Sequence, residues 1–139
     1  MNVLIVEDDF ALRTVWEDAL GDSGHALVGV SNSSAAMRAL MTGKFDVVVL
    51  DLLLNEGNSL SLTHYISYAM PTVPVIVVTG SGFFPHGDLG SVAPNVDWLL
   101  RKPLPIADFV AMVDHAATVS AERKAATFAP GGFSQSALM

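Results

Sequence analysis

The sequence predicts an α/β fold, with one five-stranded parallel sheet enclosed between two layers of helices. Three observations predict it. Four short apolar runs, Val3–Val6, Phe45–Leu50, Val73–Val78 and Trp98–Leu100, are rich in β-branched residues and continuous rather than alternating. Strands read this way when helices cover both faces of a sheet. Stretches with apolar residues at helical spacing separate the runs, giving the order βαβαβαβαβα and hence parallel pairing with right-handed crossovers. Polar residues also collect directly after the strands, at Glu7-Asp8-Asp9, Asp51, Thr79 and Lys102.

Along the chain, Val3–Val6 is the first strand and the weaker run Ala26–Val30 the second. The first helix spans Phe10–Leu20 and ends at Gly21. Ser33-Ser34 caps a second helix through Ala35, Met37, Leu40 and Met41, and Gly43 stops it. The third helix is expected over Asn58–Met70, before Pro71. The last covers Pro105–Val119, with proline at its start and an apolar face of Phe109, Val110, Val113 and Ala116. Ser81–Asn95 should hold the fourth helix, yet Gly82, Pro85, Gly87, Gly90 and Pro94 interrupt it. A short or irregular helix near His86–Val92 is the expectation. Residues 1–120 then form one domain and 121–139 a tail. The tail is expected to be mobile because Pro130-Gly131-Gly132 and small polar residues dominate its end.

Composition narrows the function. The chain has 139 residues, enough for one domain with a real core, and is 51% hydrophobic and 15% charged. Its net charge of −7 disfavours nucleic acid and anionic membrane surfaces as partners, since both are held by excess Lys and Arg. The absence of cysteine excludes disulfides, thiolate catalysis and Cys-based metal sites. No apolar run approaches the roughly 20 residues that span a bilayer. The start, Met1-Asn2 followed at once by Val3–Val6, lacks the basic segment of a secretory signal, so a cytoplasmic location is expected.

The strand-end residues carry the chemistry. Open α/β sheets bind ligands at the carboxyl ends of their strands, where strand order reverses. For the order 2-1-3-4-5 that point lies between the first and third strands, which brings Glu7-Asp8 beside Asp51. Carboxylates crowded together repel, and a hard divalent cation resolves the repulsion. Lys102 adds a second positive charge and Thr79 a hydroxyl. A cation, an ammonium and a hydroxyl around one carboxylate suit phosphoryl transfer, with Asp51 attacking phosphorus in line to form an acyl phosphate. Asp9 is read as a cap of the first helix rather than a ligand. His25, His64, His86 and His115 lack ligand spacing and are read as structural or surface residues. The methionines and most aromatics are read as core.

Leu4-Ile5-Val6-Glu7-Asp8-Asp9, Val48-Val49-Leu50-Asp51-Leu52, Val77-Val78-Thr79-Gly80 and Arg101-Lys102-Pro103 together resemble the four signatures of receiver domains of two-component response regulators. The resemblance to this CheY-like family runs from about residue 2 to 119. It implies a flavodoxin-like three-layer α/β/α sandwich. Asp51 matches the phosphoacceptor. Glu7, Asp8, Asp51 and the main-chain carbonyl of Leu53 match the Mg²⁺ ligands, with Mn²⁺ a possible substitute. Thr79, Lys102 and Gly80 match the surroundings of the phosphoryl group, and the Lys102–Pro103 peptide is often cis in the family. The implied phosphodonor is a sensor histidine kinase or a histidine phosphotransfer protein. Such a domain is no enzyme toward other substrates and catalyses only its own phosphotransfer and dephosphorylation.

Two departures bear on readout. Leu99 stands where the family usually has an aromatic residue three places before the lysine, and the nearest aromatic, Trp98, should face the opposite side of its strand. Asn55 stands where proline is frequent. Thr79, Leu99 and Trp98 are therefore the candidates for a switch, with an atypical output surface expected. Only some twenty residues follow Val119, so output is expected through a separate effector, homodimerisation or a relay. The alternative is a degenerate receiver that binds proteins without being phosphorylated. A haloacid-dehalogenase-type phosphatase would need a second Asp where Leu53 stands. A flavin carrier would need a Ser/Thr/Gly phosphate loop where Glu7-Asp8-Asp9 stands.

Overall fold

The computed structural model describes residues 1–54, 57–58, 60–80 and 96–128. Strand β1 (Asn2–Val6) leads into helix α1 (Phe10–Asp22), then β2 (Ala26–Val30), α2 (Ser33–Thr42) and β3 (Val47–Asp51). A small ribbon of β4 (Leu53–Leu54) and β5 (Gly57–Asn58) precedes α3 (Leu60–Ala69). β6 (Val75–Thr79), β7 (Trp98–Arg101) and α4 (Ile106–Phe128) complete the described elements. The main sheet is wholly parallel in the order β2-β1-β3-β6-β7, the 2-1-3-4-5 winding. The fold is the three-layer sandwich that the apolar runs imply.

The continuity of those runs has a direct cause. Successive strand residues point to opposite faces, and each face is covered by helices. On one side Leu4, Val6, Val48, Leu50, Val75 and Val77 pack with Ala36 and Leu40 of α2 and Leu62 and Ile66 of α3. On the other, Val3, Ile5, Val47, Val49, Ile76 and Val78 pack with Trp16 and Leu20 of α1 and Phe109, Val113 and Ala116 of α4. Each fully buried Val or Leu side chain contributes about 1.5–3 kcal/mol.

Several boundaries differ from the sequence expectation. α1 continues past Gly21 to Asp22, and the turn is made instead at Gly24, whose φ of 97° suits glycine. The cap of α2 is Asn32, whose side chain accepts from the Ala35 amide at 2.8 Å, and not the serine pair. Asn58 pairs with Leu53 in the β4–β5 ribbon, so α3 begins at Leu60.

α4 runs to Phe128 instead of stopping at Val119, which makes residues 121–128 of the expected tail helical. Good helix formers, Ala121-Glu122-Arg123-Lys124-Ala125-Ala126, carry it on. Two ion pairs fasten the extension beneath the sheet. Arg123 holds Asp97 at 2.6 Å, and Lys124 holds Asp46. The fourth helix expected near His86–Val92 and the remainder of the tail, 129–139, lie outside the described residues. Among the described residues no helix is long and apolar enough to cross a membrane.

Candidate functional site

The site forms where β1 and β3 part at their carboxyl ends. Register sets it: Val6 pairs with Leu50, so the next residues, Glu7 and Asp51, emerge side by side. Asp51 and Thr79 are the last residues of β3 and β6, and Lys102 follows β7 directly. Glu7, Asp51 and Thr79 are all buried, unusual for such polar groups unless they are partnered.

The two carboxylates share a partner. Lys102 Nζ donates to Glu7 Oε1 at 2.9 Å and to Asp51 Oδ2 at 3.2 Å. The main-chain amide of Asp9 donates to the other Glu7 oxygen at 3.1 Å. Arg13 of α1 donates through Nη1 to the Glu7 main-chain carbonyl at 2.7 Å, and Asp9 Oδ1 accepts from the Leu12 amide at 3.1 Å. Asp9 is thus the cap of α1. These contacts tie the acidic turn to the first helix, which fixes where Glu7 and Asp8 sit.

Carboxylate oxygens of Glu7, Asp8 and Asp51 lie within 4.8 Å of one another. Burial pushes the Glu7 carboxyl up to about 7, with the neighbouring Asp51 acting in the same direction, against the pull of the Lys102 and Asp9 hydrogen bonds. Lys102 is held above the usual lysine value, because Glu7 and Asp51 outweigh the lowering effect of its own burial. Three carboxylates and one ammonium leave an excess of two negative charges when all are ionised. A set of hard oxygen donors with that excess fits a small divalent cation such as Mg²⁺.

The other sequence candidates fall as follows. Thr79 is buried, its hydroxyl 3.3 Å from the Gly80 carbonyl, and its own carbonyl accepts from the Lys102 amide at 2.8 Å. Among the described residues, nothing lies within 4 Å of where a Gly80 side chain would begin. The Lys102–Pro103 peptide is cis. Leu53 lies in the short ribbon paired with Asn58, two residues beyond Asp51. Leu99 and Trp98 face opposite sides of β7, as alternation requires. Leu99 packs with the α2–α3 side of the core, and Trp98 meets His115 of α4 edge-on at 5.6 Å.

Sequence reasoning passed over one residue that the fold brings to the site. Trp16, read as core, is buried in α1 with its ring centroid 6.0 Å from Lys102 Nζ. It shares a cavity of about 520 Å³ with Leu12, Gly80, Lys102, Pro103 and Leu104. Its helical spacing from Leu12 marks the inward face of α1, but nothing in the sequence alone places the lysine over that face.

Known proteins give the same picture. The chain is 29% identical over 115 residues to the DNA-binding transcriptional regulator NtrC of Rhizobium meliloti, covering 83% of this chain and 24% of that protein. It is 28% identical to the probable transcriptional regulatory protein SilR of Salmonella typhimurium, covering 81% and 49%. The chain therefore spans from a quarter to a half of the length of these relatives. Among solved structures, a CheY-like response regulator receiver domain protein from Methanospirillum hungatei superposes with a TM-score of 0.79 at 18% identity, covering 87% of this chain and 96% of that one. The response regulator TrrA of Thermotoga maritima, solved in complex with Mg²⁺ and BeF, gives 0.72 at 17% identity, covering 83% and 97%. At that identity the two structures speak for the fold. The response regulator receiver domain profile matches residues 3–114, the span that holds the sheet from Val3 onward and all the acidic, hydroxyl and lysine groups of the site. The chain belongs to the receiver domain family of two-component response regulators.

Proposed function

We propose that the chain is a phosphorylation-dependent signalling receiver. It takes a phosphoryl group onto Asp51 from a phosphohistidine of a sensor histidine kinase or a histidine phosphotransfer protein. One observation carries the reading: a single ammonium, Lys102 Nζ, bridges buried Glu7 and Asp51 at 2.9 and 3.2 Å inside a three-carboxylate cluster. Burying a carboxylate nucleophile among like charges is costly, and such clusters concentrate at sites where charge compensation changes during a reaction.

The residues divide the work. Glu7, Asp8, Asp51 and the Leu53 carbonyl would hold Mg²⁺, with Mn²⁺ a possible substitute. That ion, when bound, would neutralise charge on the transferring phosphoryl oxygens. Asp51 Oδ attacks phosphorus, a P–O bond forms, and the P–N bond of the donor breaks with its electron pair leaving on the imidazole nitrogen, which takes a proton. Lys102 moves its hydrogen bonds from the carboxylates to a phosphoryl oxygen. The Thr79 hydroxyl donates to another such oxygen, and Gly80 keeps the entrance open. A separate effector, a second copy of the chain or a relay partner would be among the readers of the phosphorylated state. The DNA-binding role named for NtrC belongs to that longer protein, and comes to this chain only as the kind of pathway it could serve.

Leu99 favours a second reading. It stands where the family has an aromatic switch residue and packs against the core, so an unphosphorylated binding module is the alternative. Intact-mass spectrometry after incubation with phosphoramidate, with and without Mg²⁺, separates the two. A Mg²⁺-dependent gain of one phosphoryl group, absent in Asp51→Asn, is expected. No gain, beside a responsive control receiver, would favour the binding module.

A further inference from the structure

We infer that Trp16 is a positioning residue for Lys102, its buried indole face steering the ammonium toward the carboxylate cluster. The inference rests on the phosphoryl-transfer reading above and assigns a device that holds the site's cation in place.

Lysine is a compact charge on a flexible four-carbon stem, so the position of Nζ depends on what surrounds it. Two sides are set by Glu7 at 2.9 Å and Asp51 at 3.2 Å. A third is the Trp16 ring, 6.0 Å from centroid to Nζ, at the outer edge of the range in which an indole face attracts a cation. Among the described residues, the others around the shared cavity, Leu12, Gly80, Pro103 and Leu104, bring no side-chain charge. On that wall the ring quadrupole is the electrostatic feature the ammonium meets. Lys102 keeps 27% of its side chain exposed, so water competes for Nζ and a fixed wall matters more.

The ring itself is held firmly. Trp16 is 2% exposed and stacks on Phe109 of α4, with centroids 4.6 Å apart and planes 21° from parallel. Its helix is anchored to the acidic turn by the Asp9 cap and by Arg13 on the Glu7 carbonyl. The same helix therefore places both the carboxylate that Lys102 binds and the ring it passes. Removing the ring should leave the carboxylates in place and the ammonium free to sample other positions.

Trp16→Leu and Trp16→Phe test this. The readouts are the rate of phosphorylation by phosphoramidate at saturating Mg²⁺, the Mg²⁺ Kd, and the folded fraction by circular dichroism. For Trp16→Leu we expect at least a fivefold lower rate with Kd within twofold of wild type, and for Trp16→Phe an intermediate rate. Equal rates per folded molecule would assign Trp16 to packing alone and overturn the inference. A second measurement needs no phosphorylation. Trp16 and Trp98 are the two tryptophans, so in Trp98→Phe protein the emission is that of Trp16. Adding Lys102→Met in chelator should change its intensity or wavelength, and an unchanged spectrum would overturn the contact. Wild-type protein that takes up no phosphoryl group would defeat the phosphoryl-transfer reading, leaving this spectrum to decide whether the ring and the lysine meet.

Discussion

Replacing Glu7 with Gln should stabilise the metal-free protein, increasingly so as pH rises. Glu7 is fully buried, and its carboxyl is raised from 4.5 to about 7. A carboxyl whose pKa is higher folded than unfolded favours folding below the unfolded value and loses that contribution as pH rises through the folded value. With about 1.36 kcal/mol per pKa unit, the full loss is on the order of 3 kcal/mol, of which about 2 kcal/mol falls between roughly pH 5.5 and pH 8. Glutamine keeps the shape and cannot ionise, so Glu7→Gln escapes that loss. It gives up a charged partner of Lys102, which still holds Asp51 at 3.2 Å. Urea titrations of both proteins in chelator, at several pH values from about 5.5 to 8, measure the difference. At a slope of about 2 kcal/mol per molar urea, the variant's midpoint should gain up to about 1 M on wild type across that range. A stability difference that is flat with pH, or that shrinks as pH rises, would refute the argument that burial governs Glu7. The same variant should bind Mg²⁺ more weakly, since it gives up one of the proposed ligands.

Three other perturbations probe the frame that carries the site. Phe109→Ala removes a fully buried ring stacked on Trp16 and should cost about 3–5 kcal/mol in urea unfolding. A cost below about 1 kcal/mol would mean that α4 is not packed there. Arg123→Ala leaves Asp97, which also accepts from the Val75 amide at 2.8 Å, without its cation. A loss of about 1 kcal/mol is expected, with faster amide exchange in residues 121–128, and unchanged exchange would deny the clasp. Asp46 is held below its usual value, because the Asn2 amide and Lys124 outweigh the raising effect of burial. Its contribution is present above the unfolded carboxyl value and fades as pH falls through the lower folded value. Asp46→Asn should therefore cost about 1 kcal/mol at neutral pH and progressively less in acid, as chemical denaturation across pH will tell. A cost that does not fall in acid would contradict that assignment.

The parts of this molecule legible in its sequence are those fixed by burial on both faces. Val47–Leu50 and Val75–Val78 read as strands because no face of either meets water, and that same continuity locates the strand ends where Asp51, Thr79 and Lys102 stand. What stayed hidden depends on choices that local chemistry leaves nearly equal. Asn32, Ser33 and Ser34 are all good caps, and only the observed Asn32 contact to Ala35 selects among them. The sequence after Val119 loses its apolar face without gaining a helix stop, and distant partners, Asp97 and Asp46, decide that the helix continues. The β4–β5 ribbon is two residues per strand, too short for any periodicity. Trp16 illustrates the same limit at the site, since an inward-facing aromatic is indistinguishable from core until the fold brings Lys102 across it.

Reductive trapping of the phosphorylated protein tests the central claim most directly. Borohydride converts an aspartyl phosphate to homoserine, and peptide mass mapping locates the change. After incubation with phosphoramidate and Mg²⁺, the account predicts homoserine at Asp51 alone, with none when Mg²⁺ is chelated. Homoserine at Asp8 or elsewhere, or a phosphoryl group resistant to trapping, would contradict the assignment of Asp51 as the acceptor.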